Sequence, residues 1–268
     1  MGFTKICLVG AAGRMGLEIV RAAAASGTAK VVCAVEGEQS SVIGRDVGEL
    51  AGIGPIGASI TSSLSDCSAV CDVIVDLSLP IATTSVIDAA KAAGKPLVCG
   101  TTGLTSAVLR LFDEAAETIP LIQTTNLSLG VAVLSILVER AAQLLDHRFD
   151  IEIVEMHHRN KADAPSGTAL TLATAAATGR GLEADRVMRN GRGGHTGVRP
   201  VEEIGMHAIR GGGVFGDHTV IFASPAERVE LTHKAESRAL FAEGAVKAAS
   251  FLVGKAPGRY TMKNVLGL

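Results

Sequence analysis

The sequence predicts an α/β chain in which a doubly wound parallel sheet is followed by a second, α+β unit. Three observations carry this prediction. Short apolar runs rich in valine and isoleucine alternate with alanine-rich helical segments from Lys5 to about Gln123, and the first run ends in a glycine turn that opens a helix. After an apolar helical stretch at 130–145 the pattern changes to several strands around one helix. Strand–helix alternation requires crossover connections, and these place ligands outside the carboxyl ends of a parallel sheet.

Residues 6–9, 31–35, 73–76, 97–99 and 121–122 read as strands, and 15–25, 81–93 and 107–116 as helices. Gly94-Lys95-Pro96 stops one helix and admits the next strand. The helix at 130–145 is apolar almost all round, which predicts burial between domains or subunits. Beyond it, strands at 151–156, 204–210, 218–222 and 229–232 surround a helix at 168–177. Gly211-Gly212-Gly213 and Ser224-Pro225 between those runs predict hairpin-like or mixed pairing. A closing alanine-rich helix at 240–252 is expected to return to the first domain. The expected division is residues 1–129 plus 235–268 for the first domain and 130–234 for the second.

With 268 residues, 47% hydrophobic and 19% charged, the chain can bury a sizeable core. Its net charge of -2 gives no support for binding nucleic acid or an anionic membrane. No apolar run is long enough to span a bilayer, and the N-terminus reads as a strand instead of a signal peptide, so a cytoplasmic location is expected. All five cysteines (Cys7, Cys33, Cys67, Cys71, Cys99) lie in the first hundred residues. Three fall in predicted strands, as small apolar fillers of a reducing compartment do, and Cys67 and Cys71 lack a nearby histidine. No metal site is expected.

The first strand runs into Gly10-Ala11-Ala12-Gly13-Arg14-Met15-Gly16. Glycines here let backbone amides approach a pyrophosphate, and the following helix adds its positive end. The spacing departs from the strict dinucleotide pattern, since glycines recur every third residue and Ala12 stands between them. Strand before, helix after and Glu36 at the end of the second strand restore the Rossmann-like context; an acid there can accept hydrogen bonds from ribose hydroxyls. Asp76-Leu77-Ser78, Gly100-Thr101-Thr102-Gly103 and Thr124-Thr125-Asn126-Leu127-Ser128 fall at later strand ends on the same edge. Each alone is ordinary turn chemistry; their recurrence points to one binding edge.

The densest chemistry lies in Glu155-Met156-His157-His158-Arg159-Asn160-Lys161-Ala162-Asp163-Ala164-Pro165-Ser166-Gly167-Thr168. It follows an apolar strand and precedes a helix start, so proton carriers share a region with unpaired backbone N–H groups. The segment suits an acidic small molecule that must be held and protonated. Neighbouring residues on a strand face opposite sides, so His157 and His158 serve together only if the chain leaves strand geometry there. For His195, His207, His218 and His233 a hydrogen-bonded structural role is expected, and His147 is expected at the surface.

Together these residues resemble the 4-hydroxy-tetrahydrodipicolinate reductases, formerly called dihydrodipicolinate reductases. The likeness is densest over residues 155–169 and extends through Gly194-His195-Thr196-Gly197 and Thr232-His233-Lys234-Ala235. The resemblance implies a dinucleotide-binding domain plus a domain that binds substrate and builds a homotetramer. It implies NADH- or NADPH-dependent reduction of a small cyclic dicarboxylate in lysine and diaminopimelate biosynthesis. By the matched motif His157 is the acid/base, Lys161 the proton donor, and His158, Gly167 and Thr168 hold substrate carboxylate. Gly10, Ala11, Ala12, Gly13, Arg14, Met15, Glu36, Gly100, Thr101, Thr102, Thr124, Thr125, Asn126 and Leu127 are the expected cofactor contacts. Family members often carry basic residues at the positions of Gly37 and Leu79, where they can meet a 2′-phosphate. Their absence predicts that NADH serves at least as well as NADPH. Leu77 and Leu127 stand where the family frequently has aromatic residues. The rival readings are a dehydrogenase of another amino-acid precursor and a non-catalytic NAD(P)H sensor.

Overall fold

The computed structural model describes residues 2–268 and divides the chain into two compact units, residues 1–129 with 238–268 and residues 130–237. In chain order the elements are β1 (Thr4–Val9), α1 (Arg14–Ser26), β2 (Ala29–Val35), α2 (Val47–Leu50), β3 (Ile60–Thr61), α3 (Leu64–Ser68) and β4 (Val73–Asp76). Then come α4 (Pro80–Ala93), β5 (Leu97–Cys99), α5 (Ser106–Ala116), β6 (Pro120–Gln123), α6 (Leu129–Leu144), β7 (Asp150–His157) and α7 (Gly167–Arg180). The remainder is α8 (Ala184–Val187), β8 (Met188–Asn190), β9 (Ile204–Arg210), β10 (Asp217–Ala223), β11 (Arg228–Lys234), α9 (Ala239–Leu252), β12 (Gly258–Tyr260) and α10 (Met262–Val265).

In the first unit a seven-stranded sheet runs β12-β6-β5-β4-β1-β2-β3, with every pairing parallel. The chain steps outward from β1 to β3 and then crosses to β4 on β1's other side. That reversal opens a crevice between the carboxyl ends of β1 and β4, the usual ligand position in such sheets. Period-2 alternation sends Cys7 and Val9 to one face of β1 and Ile6 and Leu8 to the other, all of them buried. Cys7 and Val9 join Cys67, Val86, Ile87, Ala90 and Phe112 of α3, α4 and α5 in one core. Helices α1 and α9 pack with each other and with the sheet. A Cβ built on Gly244 of α9 would lie 1.8 Å from the Leu127 carbonyl oxygen, so only glycine lets this helix approach the turn after β6. The five cysteines are free thiols.

The second unit is a mixed five-stranded sheet in the order β11-β10-β7-β9-β8. β10 pairs antiparallel with β11 and β7, whereas β9 pairs parallel with β7 and β8. Alternation on β7 buries Ile151, Ile153, Glu155 and His157 and leaves the residues between them half-buried. Ile151 and Ile153 meet Leu172, Ala173 and Ala176 of α7 and Leu134 and Val138 of α6 in the core. α6 is less enclosed than its composition predicts: Val133, Leu137 and Leu144 are 42%, 49% and 68% exposed. The opposite sheet face carries an ion-pair cluster in which Glu152 accepts from Arg192, Arg199 and His207. Among the described residues no helix is long and apolar enough to cross a membrane.

Candidate active site

The expected site residues fall into two groups, one on each unit. In the first unit Gly10, Ala11, Ala12, Gly13, Arg14 and Met15 form the turn from β1 into α1. Gly10 has φ of +76°, and a Cβ there would meet the Leu77 carbonyl oxygen at 2.8 Å, across the β1–β4 switch point. Glu36 follows β2, and its Oε1 accepts from the Ala12 N–H at 2.7 Å. The turn therefore fixes the carboxylate that faces a ribose in sheets of this kind.

Buried Asp76 ends β4 and accepts from the Ser78 N–H at 2.9 Å and the Ser78 hydroxyl at 2.6 Å. The Thr101 hydroxyl lies 3.4 Å from the same carboxylate and donates to the Ser78 carbonyl, tying the ends of β4 and β5 together. Gly100 sits under Leu77 and Leu127, whose side-chain carbons would lie 2.6 and 2.9 Å from an added Cβ. Thr102 and Thr125 are exposed at this edge, while Thr124 Oγ1 both donates to the Asn126 carbonyl and accepts from its N–H. Close backbone approach, a fixed carboxylate and a helix N-terminus suit the pyrophosphate and ribose of a dinucleotide.

In the second unit β7 ends at His157 and the chain leaves the strand at once. The His158 N–H donates to the Val214 carbonyl at 2.8 Å, outside the ladder, so the two imidazoles are not forced to opposite sheet faces. The His158 Nδ1 is shielded and has no hydrogen-bond partner in the structure. Lys161 follows, its Nζ 2.9 Å from Asp163 Oδ1. Ser166 caps α7 by accepting from the Ala169 N–H, which leaves Gly167 and Thr168 as the first residues of the helix. Arg159 is exposed.

His157 is 8% exposed, and its Nδ1 lies 2.6 Å from Glu155 Oε2. A carboxylate can only accept, so Nδ1 carries the hydrogen. Nε2 faces Gly216, where an added Cβ would come within 2.9 Å. Burial is the largest influence and lowers the pKa of His157 below its ordinary 6.5, with the Glu155 hydrogen bond acting in the other direction. Glu155 is held below the usual carboxylate range: burial acts strongly to raise it, but hydrogen bonds from Arg210, His157 and Ser166 outweigh that.

Of the histidines expected to be structural, His207 is hydrogen-bonded to Glu152, but His195 is exposed, and the Nδ1 of His233 is shielded without a partner. His218 bonds Ser166 Oγ at 3.0 Å, yet its ring also meets that of His157 edge-on, with centroids 5.1 Å apart. Burial first, then the neighbouring His157, push His218 down to about 4. The unfolded chain then takes up a proton between about pH 6.5 and 4 that the folded chain refuses, so stability falls as pH drops through that window. The Tm is expected to fall across this range, and His218→Gln to flatten the fall. Equal slopes in the two proteins would count against the assignment.

Sequence reasoning assigned no part in the site to Glu155, Arg210 or Ser166, and gave His218 only a hydrogen-bonded structural role. A signal existed for Glu155, since two residues on a strand from His157 is the same face. None existed for Arg210 and His218, which arrive from β9 and β10 through pairings visible only in the fold. Among the described residues no group of three or more His, Cys, Asp or Glu is arranged to hold a metal ion.

Comparison with known proteins identifies the family. The model of the dihydrodipicolinate reductase N-terminus matches residues 4–127, and that of its C-terminus residues 130–266. A 4-hydroxy-tetrahydrodipicolinate reductase of Rhodopseudomonas palustris is 47% identical, over 100% of this chain and 99% of its own. One of Alkalilimnicola ehrlichii is 46% identical over 99% of each. The dipicolinate-bound dihydrodipicolinate reductase of Paenisporosarcina sp. TG-14 shares the fold, with a TM-score of 0.74 at 21% identity over 97% of this chain and 98% of that one. The chain belongs to the dihydrodipicolinate reductase family.

Proposed function

We propose that this chain reduces 4-hydroxy-tetrahydrodipicolinate to tetrahydrodipicolinate in the biosynthesis of diaminopimelate and lysine, using NADH or NADPH. The observation that carries the reading is the His157–Thr168 segment, where two imidazoles, an ammonium and a helix N-terminus occupy one strand–loop–helix connection. In this reading the first unit is the dinucleotide-binding domain and the second binds substrate and builds the oligomer.

A bound nicotinamide supplies the hydride. The chain's own residues do the rest. His158 and the amides of Gly167 and Thr168 hold a substrate carboxylate; the unpaired Nδ1 of His158 and the capped start of α7 support this. Lys161 Nζ delivers a proton, and Nε2 of His157 exchanges one as acid/base. Gly10 to Met15, with Gly100, Thr101, Thr102, Thr124, Thr125, Asn126 and Leu127, line the nucleotide edge, and Glu36 takes the ribose hydroxyls. A homotetramer in the cytoplasm completes the proposal; half-buried Val154, Met156 and Ile221 and exposed Ile209 on the open sheet face would support assembly.

We further propose that NADH serves at least as well as NADPH. Glu36 is held by the Ala12 N–H, Gly37 offers no charge and Leu79 is 72% exposed, so a 2′-phosphate would meet a fixed carboxylate with only Arg14 of the same turn to offset it. The test is oxidation of each cofactor on adding the freshly made condensation product of aspartate semialdehyde and pyruvate. Turnover is expected with both, with kcat/KM for NADH equal or higher. No turnover would remove the functional reading; a strong NADPH preference would remove only the cofactor assignment.

A further inference from the structure

Glu155 is 1% exposed, and its two oxygens accept four hydrogen bonds. Oε2 takes His157 Nδ1 at 2.6 Å and Arg210 NH1 at 2.8 Å; Oε1 takes Arg210 NH2 at 2.8 Å and the Ser166 N–H at 3.1 Å. Every lone-pair site of the carboxylate is thereby used. The donors come from three segments: the end of β7, the end of β9, and the residue that caps α7. His157 and Arg210 stand opposite each other in the β7–β9 register, so the ladder itself fixes the guanidinium beside the imidazole. Arg210 also donates to the Asp163 carbonyl at 2.6 Å, reaching the loop that carries Lys161.

We propose that Glu155 and Arg210 are a positioning pair: one buried carboxylate, clamped bidentately, sets both the tautomer of His157 and its distance from the start of α7. The inference rests on the reading of His157 as the acid/base and of the α7 start as the carboxylate site. An ion pair this buried contributes little net stability compared with apolar packing. Its value lies in geometry, because Nδ1 of His157 can donate only toward Oε2 and Nε2 is left as the exchangeable position. Glutamine cannot substitute. Its amide has one oxygen to accept with and an N–H₂ that would face the donors of Arg210, His157 or Ser166.

The charged and titratable groups around His157 are Glu155 on its own strand, Lys161 on the loop beyond, Arg210 on β9 and His218 on β10. Of these only Glu155 favours the imidazolium. Removing its charge therefore moves the His157 limb of the kcat–pH profile to lower pH.

Full-length wild type, Glu155→Gln, Glu155→Asp and Arg210→Lys are compared across pH with NADH and the freshly made ring acid. Glu155→Gln is expected to lower kcat about 100-fold, the low end of what a positioned acid/base contributes, with its limb at lower pH and KM for NADH unchanged. Glu155→Asp, which keeps an acceptor-only carboxylate, is expected to recover about tenfold of that loss. Arg210→Lys, with a point charge in place of a fork, is expected to fall between them. The proposal is overturned if Glu155→Gln keeps kcat within about threefold of wild type. It is equally overturned if activity falls with the limb unmoved and aspartate gives no recovery, the pattern of a merely structural residue. Absence of turnover in wild type would instead reject the functional reading beneath it.

Discussion

Replacing Lys161 with methionine is expected to lower kcat by about 10²- to 10⁴-fold, the span that a positioned proton donor contributes. The ammonium sits on the loop directly after β7, with 22% of its side chain exposed, and its carboxylate partner Asp163 is 60% exposed. That pair is too open to hold the loop by itself, so a loss of this size would come from chemistry and not from folding. Arginine separates the two tasks assigned to the residue. A guanidinium keeps the positive charge but does not give up a proton in the working range. Lys161→Arg is therefore expected to preserve KM for the dicarboxylate while kcat falls nearly as far as in the methionine variant. Steady-state kinetics on both proteins checks this; a fully active arginine variant would assign Lys161 to binding alone.

In the proposed reaction the same geometry accounts for the pairing of two proton carriers. Burial holds His157 below its ordinary range, so near neutral pH it is the uncharged form with its one N–H spent on Glu155. Such an imidazole offers a lone pair at Nε2 and no mobile proton. The mobile proton must then begin on a different group, and Lys161 is the cation on the adjoining loop. A dicarboxylate bound nearby adds negative charge, which favours the imidazolium and would bring His157 into use as the reaction proceeds.

Much of this was legible before any fold was in hand. β1, β2 and β4 are dense in β-branched residues, β5 is wholly apolar, and all four end in turn chemistry, so their position and parallel pairing follow from pattern alone. The two- and three-residue strands β3, β8 and β12 are different. Ile60–Thr61, Met188–Asn190 and Gly258–Tyr260 are too short to show a period, and they exist because a neighbouring edge offers hydrogen bonds. The site divides along the same line. The His157–Thr168 segment is contiguous and could be read directly. Arg210 and His218 are 53 and 61 residues beyond His157 and reach it only because β9 and β10 both pair with β7 in one register. His218 opposite Glu155 and Arg210 opposite His157 are consequences of strand pairing that no local pattern encodes. α6 shows the opposite limit. Its composition predicts an enclosed helix, yet composition cannot say what covers each face, and three large apolar side chains on it lie open in the single chain.

Gly16→Ala is expected to abolish tight nucleotide binding and to cost about 3 kcal/mol of stability, the upper part of the usual range for overpacking. Gly16 is the third residue of α1 and is buried. In an unconstrained helix, alanine would be preferred to glycine by about 1 kcal/mol, so propensity alone predicts stabilisation. Sterics reverse the sign. A Cβ at Gly16 would lie 2.4 Å from the Gly10 carbonyl oxygen and 2.5 Å from that of Ala11, both backbone atoms that no rotamer change can move. Relief requires the helix to retreat from the turn, which takes the α1 amides away from the pyrophosphate position and strains the Ala12–Glu36 hydrogen bond. Gly13→Ala is the control for stability alone: its Cβ would stand 3.2 Å from the Gly10 carbonyl oxygen, a contact that a shift of a few tenths of an ångström relieves. Thermal unfolding is expected to separate the two variants clearly, and NADH titration of Gly16→Ala against wild type reads the loss of binding. Wild-type affinity in Gly16→Ala would mean that the turn does not hold the nucleotide, and the assignment of the whole edge would have to be withdrawn.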